Sequence, residues 1–236
     1  MTLSKQFSKV ASAVAMIMLL SLVIYTSYDA LAVTRYYAGY RLQENYFGVS
    51  GSIYTIDPDV TGENIFAQWV CIVIDPARGY WVQIGYTKGF DTDYNLVFYA
   101  EVNDNYGYEI RFFGTPEPGD TYTYTIVADT YNGTRVWHGY IRQGGTLLYE
   151  IIIPADPIAS YELQAFSEAS TTDIVIDGTH FSGLAYYTGR DFLYWYTHTV
   201  YVSSPYWIEE ISDYEFMAWG GGSVNPPQPL GMSIVG

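Results

Sequence analysis

The chain has little of what several classes of function require. It has one cysteine, Cys71, so no intramolecular disulfide can form, and its place in an apolar run predicts a small buried hydrophobe. It has 10 Lys and Arg against 25 Asp and Glu, a formal net charge of −15, so nucleic acid is not an expected partner. The three histidines, His138, His180 and His198, form no zinc-binding motif, and no P-loop, nucleophile elbow or dinucleotide fingerprint occurs. We therefore expect no metal site and no cofactor.

The N-terminal segment is typical of export. Lys5 and Lys9 precede an apolar run over residues 10–24, and Ala30-Leu31-Ala32 follows a short polar stretch, as in a signal peptide with an A-x-A cleavage site. The run has 15 residues, fewer than the roughly 20 of a spanning helix, which favours cleavage after Ala32 over a retained membrane anchor. We therefore predict a signal peptide over residues 1–32 and a secreted or cell-surface protein.

Cleavage of 32 residues would leave 204 with a formal charge of −16, enough for one domain with a large core. Such an acidic chain repels itself at neutral pH, and protonation of its carboxylates relieves this repulsion. We therefore expect greater stability in mild acid than at alkaline pH.

The composition predicts an all-β domain over residues 33–219. Tyr occurs 26 times, Thr is abundant, and no amphipathic helical pattern of useful length follows the leader. Short strand-like runs alternate with turn signals such as Asn132-Gly133, which is typical of a two-sheet antiparallel sandwich or jelly roll. Residues 220–236 have the Gly/Pro-rich composition of a tail. The predicted strands are Gly51–Ile56, Ile65–Ile74, Tyr80–Thr87, Leu96–Val102, Tyr108–Phe113, Thr121–Ala128, Val136–Arg142, Leu147–Ile153, Tyr161–Ser167, Asp173–Ile176, Phe192–Val202 and Glu215–Trp219.

The predicted strand Tyr80–Thr87 carries an amide in the middle of an apolar segment. Alternation places Gln83 on one face with Trp81 and Gly85, while the apolar residues between them can pack a core. This face therefore presents an indole and an amide. The alternative is a solvated Gln on the outer surface of a sandwich.

The predicted strand Tyr161–Ser167 has a second polar face, on which Glu162 and Glu168 flank Gln164. At about 3.3 Å per residue, Glu162 lies roughly 7 Å from Gln164 and Glu168 roughly 13 Å away on the other side. If this face adjoins that of Gln83, a carboxylate can take a proton from water while an amide orients the water or binds an oxyanion. The alternative is a polar outer face.

In order and spacing, these features resemble the secreted glutamic peptidases, or eqolisins, over roughly Ile65 to Trp195. The resemblance implies a concanavalin-like β-sandwich, an endopeptidase activity in acid and a Gln/Glu catalytic dyad, with Gln83 at the position of the family's catalytic Gln. The matching pieces are Gln68-Trp69-Val70-Cys71-Ile72, Trp81-Val82-Gln83-Ile84-Gly85, Phe98-Tyr99-Ala100-Glu101, Pro118-Gly119-Asp120-Thr121, Asn132-Gly133-Thr134 and Gln164-Ala165-Phe166-Ser167-Glu168.

The chain departs from the family at the second member of the dyad. The family's pattern there is Glu, Trp, two residues and a second Glu, and the spacing places Gln164 at the catalytic Glu, Ala165 at the Trp and Glu168 at the second Glu. A Gln cannot act as a general base. Either Glu162 or Glu168 has taken over this role, or the protein is a non-catalytic relative that keeps the fold and a binding groove. The sequence favours the second alternative.

A binding function has its own candidate residues. Trp69, Trp81, Tyr99 and Glu101 offer flat rings and a polar group with which a groove can hold an extended peptide or a glycan. Trp137, Trp195 and Trp207 are further aromatic candidates, and we expect at least half of all these rings to be core. A third alternative is a structural surface protein that self-associates through edge strands or through flanks such as residues 33–48 or 230–235.

Overall fold

The structure is a computed structural model that describes residues 34–153 and 160–222. The predicted signal peptide over residues 1–32 and the segment 223–236 lie outside the described residues. In the described part of the chain, no helix is long and apolar enough to cross a membrane. The strands of the described residues are β1 Tyr36–Leu42, β2 Gly48–Tyr54, β3 Ile65–Asp75, β4 Tyr80–Gly89, β5 Val97–Asp104, β6 Gly107–Phe113, β7 Thr121–Tyr131, β8 Thr134–Gln143, β9 Thr146–Ile153, β10 Glu162–Ala169, β11 Thr179–Tyr187, β12 Phe192–Tyr194, β13 Thr199–Val202, β14 Trp207–Ser212 and β15 Glu215–Trp219, with a short 3₁₀ turn at Phe90–Thr92.

Within residues 34–153 and 160–222, the strands form two antiparallel sheets. The seven-stranded sheet has the order β13-β1-β10-β3-β4-β5-β6. The eight-stranded sheet has the order β14-β15-β11-β2-β7-β8-β9, with β12 paired to β11. The predicted two-sheet antiparallel sandwich is confirmed.

The hydrophobic core lies between the sheets and follows the predicted alternation. On β4, Val82, Ile84 and Tyr86 are fully buried in this core, whereas Gln83 belongs to the opposite face. On β7, Tyr124 and Ile126 are buried in the same core. Strand β3 lies in the middle of its sheet and is buried over most of its length, as its continuous apolar run predicts.

The chain after β10 was the least well predicted part of the sandwich. The segment Asp173–Ile176 was predicted as a strand, but it is a loop that buries Ile174 and Ile176 in the core. The predicted strand Phe192–Val202 is two short strands in different sheets, β12 and β13. The chain turns inward between them to bury Trp195, whose backbone N–H donates to the Leu184 carbonyl. Burial of one large side chain therefore overrides continuous strand propensity here.

Strand β1 changes the role expected for the flank at residues 33–48. This flank was an alternative for pairing with a neighbouring subunit, but β1 lies inside the seven-stranded sheet, paired with β10 and β13. Its residues Ala38, Tyr40 and Leu42 are buried in the core. The edge strand on this side of the sheet is β13.

The sandwich extends past its predicted end at residue 219. The backbone N–H of Gly220 donates to the Asp177 carboxylate at 2.9 Å, and that of Gly222 donates to the Thr172 carbonyl at 2.7 Å. A side chain at Gly221 would overlap the carbonyl of Ile174, so the glycine permits this close approach. The first three residues of the predicted tail therefore pack against the domain.

Candidate functional site

A groove of about 580 Å³ lies on the seven-stranded sheet, on the face turned away from the core. Its floor is aromatic, because Phe166, Trp69 and Tyr99 occupy one transverse row across β10, β3, β4 and β5. These rings form a buried cluster with Ala67 and Cys71 that is separate from the core between the sheets. The groove therefore has its own apolar floor.

Two glycines in the same row make room for these rings. Gly39 on β1 is paired with Phe166, and Gly85 on β4 is paired with Trp69. A Cβ at Gly39 would overlap the backbone of β10, and one at Gly85 would overlap the Gln68 carbonyl oxygen and lie 2.8 Å from the Trp69 Cα. Gly85, two residues after Gln83, is thus required by the close approach of the β3 backbone at Gln68 and Trp69.

The next row across the sheet carries the polar residues of the site. Gln164 on β10, Cys71 on β3, Gln83 on β4 and Glu101 on β5 are consecutive partners in register. The Gln83 Nε2 donates to the Tyr99 hydroxyl at 2.7 Å and to the Glu101 Oε2 at 3.1 Å. Gln83 is therefore a nearly buried amide fixed by two partners on β5.

Glu101 is the carboxyl in contact with Gln83, and its ionisation is perturbed. Burial raises the pKa of Glu101 to about 7, the charge of Glu168 acts in the same direction, and hydrogen bonds from Tyr108 and Gln83 oppose them together with the charge of Arg35. Among the described residues, no Lys, Arg or His nitrogen lies within 4.0 Å of the Glu101 carboxyl oxygens. A carboxyl of this kind changes protonation state near neutral pH.

Gln164 and Glu162 form a separate pair at the β1 side of the groove. The Gln164 amide donates to the Glu162 carboxylate, which also lies 3.7 Å from the Arg41 Nε. The Arg41 guanidinium stacks over the ring of Tyr201, 4.2 Å from its centroid. Gln164 and Gln83 are two strand spacings apart, about 10 Å between their backbones, and their amides donate to different residues.

Glu168 holds the groove floor in place. Its carboxylate accepts a hydrogen bond from the Trp69 Nε1 at 2.9 Å and forms an ion pair with the Arg35 Nε at 2.8 Å. Burial raises the pKa of Glu168, whereas Arg35 and the Trp69 indole act in the opposite direction. The hydrogen bond orients the Trp69 ring, and the ion pair holds the carboxylate that accepts this bond.

The structure brings the predicted candidates to one face of one sheet. Glu162 and Glu168, the carboxylates predicted to partner Gln83, instead contact Arg41 and Arg35, and the contact with Gln83 comes from Glu101. Cys71 is buried, as predicted, and lies in the floor between Gln83 and Gln164. Eight candidates share this face: Gln83, Gln164, Glu162, Glu168, Trp69, Trp81, Tyr99 and Glu101.

The basic residues and the Tyr108 side of the groove were not among the site residues predicted from the sequence. Arg35 and Arg41 lie on the same face of the chain at β1, a strand that was not predicted, and Tyr108 lies on β6 opposite them. Alternation in Tyr36–Leu42 is a signal that could have indicated the strand and placed Arg41 on its outer face.

The fold is similar to the β-sandwich of the eqolisins. The scytalido-glutamic peptidase in complex with a peptide-based transition-state analogue has a TM-score of 0.56 at 11% identity, covering 77% of this chain and 97% of that chain. The same peptidase with a transition-state analogue inhibitor gives 0.56 at 10% identity, covering 78% and 98%. SCP-B, a member of the eqolisin family in complex with the tripeptide Ala-Ile-His, gives 0.54 at 11% identity, covering 79% and 98%. No profile of a known protein family and no curated protein sequence matches the chain. The likeness confirms the resemblance at the level of the fold.

Proposed function

We propose that this protein is exported and binds an extended polypeptide in the groove, without the dyad chemistry of the eqolisins. The observation that carries this proposal is the polar row across the floor, in which Gln164 stands where the family resemblance implies a carboxylate. Gln83 donates both of its N–H groups to Tyr99 and Glu101 and offers its carbonyl oxygen to a ligand, whereas Gln164 keeps one N–H group and its carbonyl oxygen. Together they suit the alternating N–H and C=O groups of an extended chain.

The floor suits a polypeptide because it combines apolar area with a few fixed polar groups. Trp69, Phe166 and Tyr99 supply the rings, and a groove of about 580 Å³ falls within the usual range of ligand sites. SCP-B, a protein of the same fold, has been solved with a tripeptide, which supports a peptide over a glycan as the ligand.

The placement of the other two carboxylates supports binding without cleavage. Glu162 is on the row of Trp81, one row away from Gln83 and two strands across, and Glu168 is two rows away on the other side. Each is engaged by an arginine, so neither is placed to activate a water beside Gln83.

Binding can be measured with a peptide of about seven residues that is blocked at both ends and contains only Ala, Ile, Ser and Gln. The length is that of an extended chain in which each residue spans about 3.3 Å. We expect wild-type protein to bind at pH 5, and Trp81→Ala to weaken binding at least about fivefold through loss of a half-buried ring at the groove. Trp207→Ala is the matched control, because Trp207 is also half-buried but lies outside the groove, stacked on Trp219. Equal affinities for both variants, or binding only of an oligosaccharide, would contradict the proposal.

The contact of 3.1 Å between Gln83 and Glu101 favours hydrolysis as a second candidate function. Here Glu101 would take the proton of an attacking water and return it to the departing amine, which splits a peptide into a carboxylic acid and an amine. Its test is the cleavage of an unfolded protein from pH 2 to 8. Cleavage near neutral pH that Glu101→Gln abolishes supports this candidate, whereas cleavage in acid that Glu162→Gln or Glu168→Gln abolishes supports a displaced eqolisin base.

A further inference from the structure

Glu101 differs from Glu162 and Glu168 in its surroundings. Glu162 lies 3.7 Å from the Arg41 Nε, and Glu168 forms an ion pair with the Arg35 Nε at 2.8 Å, so each has an arginine beside its carboxyl oxygens. In the described part of the chain, Glu101 has no such partner, and its hydrogen bonds come from the neutral groups of Gln83 and Tyr108. Burying a carboxylate without a cation is costly, so this site favours the neutral acid.

The charged and titratable groups that face Glu101 do not reverse this preference. Strand β10 contributes Glu168, which disfavours ionisation of Glu101, and the residue before β1 contributes Arg35, which favours it. The thiol of Cys71 on β3 is itself buried with a raised pKa. Tyr99 on β5 and Tyr108 on β6 contribute hydroxyls, and Asp91 contributes a carboxylate that lines the same groove. Tyr37 and Arg41 on β1 line this groove as well, and Glu109 and Arg111 on β6 line a small pocket together with Glu101. Arg35 is the cation that favours ionisation of Glu101, and it is already engaged by Glu168.

We infer that Glu101 binds the polypeptide as the protonated acid and donates a hydrogen bond to a backbone carbonyl of the ligand. This inference rests on the proposed function. A neutral carboxyl has one O–H donor, whereas a carboxylate has only acceptors and would repel a carbonyl oxygen placed against it. Binding is therefore coupled to uptake of one proton wherever Glu101 is ionised in the free protein. The groove captures an extended chain in mild acid and releases it as the pH rises.

The size of the effect follows from the fraction of protein with a protonated Glu101. With a pKa of about 7, Glu101 is protonated in nearly all of the free protein at pH 5 and in about one tenth of it at pH 8, and only this fraction can bind the peptide. The dissociation constant of the complex should therefore be about tenfold higher at pH 8 than at pH 5.

The experiment uses the full chain and the blocked peptide, whose lack of titratable groups assigns any pH effect to the protein. Isothermal titration calorimetry from pH 5 to 8, in pairs of buffers with different ionisation enthalpies, measures the affinity and the protons taken up. We expect proton uptake near pH 8 and a tenfold loss of affinity for wild type. Glu101→Gln, which keeps a neutral donor at every pH, should bind with nearly equal affinity at pH 5 and pH 8.

Glu162→Gln is the matched control, since it makes the same change at a carboxyl that lies on the same face of the sheet beside an arginine. Its affinity should keep the tenfold step. A wild-type affinity that does not change with pH, or a step that persists in Glu101→Gln, overturns the inference and leaves the proposed function standing. Binding by neither wild type nor Glu101→Gln at any pH overturns the proposed function and the inference with it. If Glu101→Gln fails to fold, proton uptake by wild type decides alone, and its absence at pH 8 overturns the inference.

Discussion

Gln83 and Gln164 lie in the same row of the sheet, yet each amide is committed to a different carboxyl. Gln83 donates to Glu101 across the β4–β5 pair, and Gln164 donates to Glu162 on its own strand. The chemistry available at each residue therefore depends on its immediate partner. A carboxyl at position 164 would face the groove from the place that the eqolisin pattern assigns to a catalytic Glu.

Gln164→Glu should therefore introduce weak peptidase activity in mild acid, while wild type shows none. The new carboxyl would be partly desolvated and close to Glu162, and both effects raise its pKa and let it exchange protons in this range. Activity should stay low because Ala165 leaves the Trp of the family pattern absent. Release of fragments from an unfolded protein at pH 2 to 5 measures the effect, with Gln164→Ala as the uncharged control. Equal cleavage by both variants would rule out this explanation.

Glu101→Gln should stabilise the protein at alkaline pH and leave its stability at pH 4 nearly unchanged. The folded-state pKa of about 7 lies above the ordinary glutamate pKa of 4.5, so the folded state binds more protons than the unfolded state, and stability falls as the pH rises through this window. Removing the ionisable group should raise the free energy of unfolding at pH 8.5 by about 1–3 kcal/mol. Urea titrations of wild type and variant at pH 4 and pH 8.5 measure this difference in the free energy of unfolding. The exposed Glu117→Gln serves as the control, and an equal gain for both variants would show a general charge effect instead.

At the scale of elements, alternation along single strands was the predictable part of the site. It placed Gln83 and Trp81 on one face of β4, and Glu162, Gln164 and Glu168 on one face of β10, as the structure has them. It could not supply the register between strands, because β10 follows β4 by some 70 residues and meets it only through β3. Glu101 was accordingly a binding candidate, and its contact with Gln83 emerged only from the β4–β5 register.

Gly85→Ala should disturb both the sheet and the groove. The added methyl would overlap the Gln68 carbonyl and press on Trp69, so β3 and β4 must separate or the indole must move. We expect a loss of about 1–3 kcal/mol in the free energy of unfolding, together with weaker peptide binding. Gly139→Ala on β8 is the control, since its new methyl would meet mainly the flexible end of Ile84, 3.1 Å away. Chemical denaturation and calorimetry compare them, and an equal loss of stability would contradict a special role for the Trp69 contact.

At the scale of the whole molecule, composition predicted the all-β sandwich but left the order of its strands open. After β10 the chain crosses repeatedly between the two sheets. Ile174 and Trp195 are buried in the connecting segments at two of these crossings. These are long-range packing choices that no local pattern encodes. The charge of −15 and the resulting preference for mild acid remain a prediction about the folded protein as a whole.

Export predicts a processed N-terminus. If the A-x-A site is used, N-terminal sequencing of the protein from its native source should begin at Val33, and the protein should leave the membrane fraction in alkaline carbonate. A chain that begins at Met1 and stays in the washed membranes would make the segment an anchor.

The central claim is that the groove holds a polypeptide and leaves it intact. The most direct measurement incubates the full chain with the blocked peptide and with an unfolded protein from pH 2 to 8, and then determines bound and cleaved material by mass spectrometry. We predict that wild type retains intact peptide at pH 5, that Trp81→Ala retains much less, and that no fragments form at any pH. Fragments released by wild type in acid and lost in Glu162→Gln or Glu168→Gln would contradict this account and show a working peptidase with a displaced carboxylate.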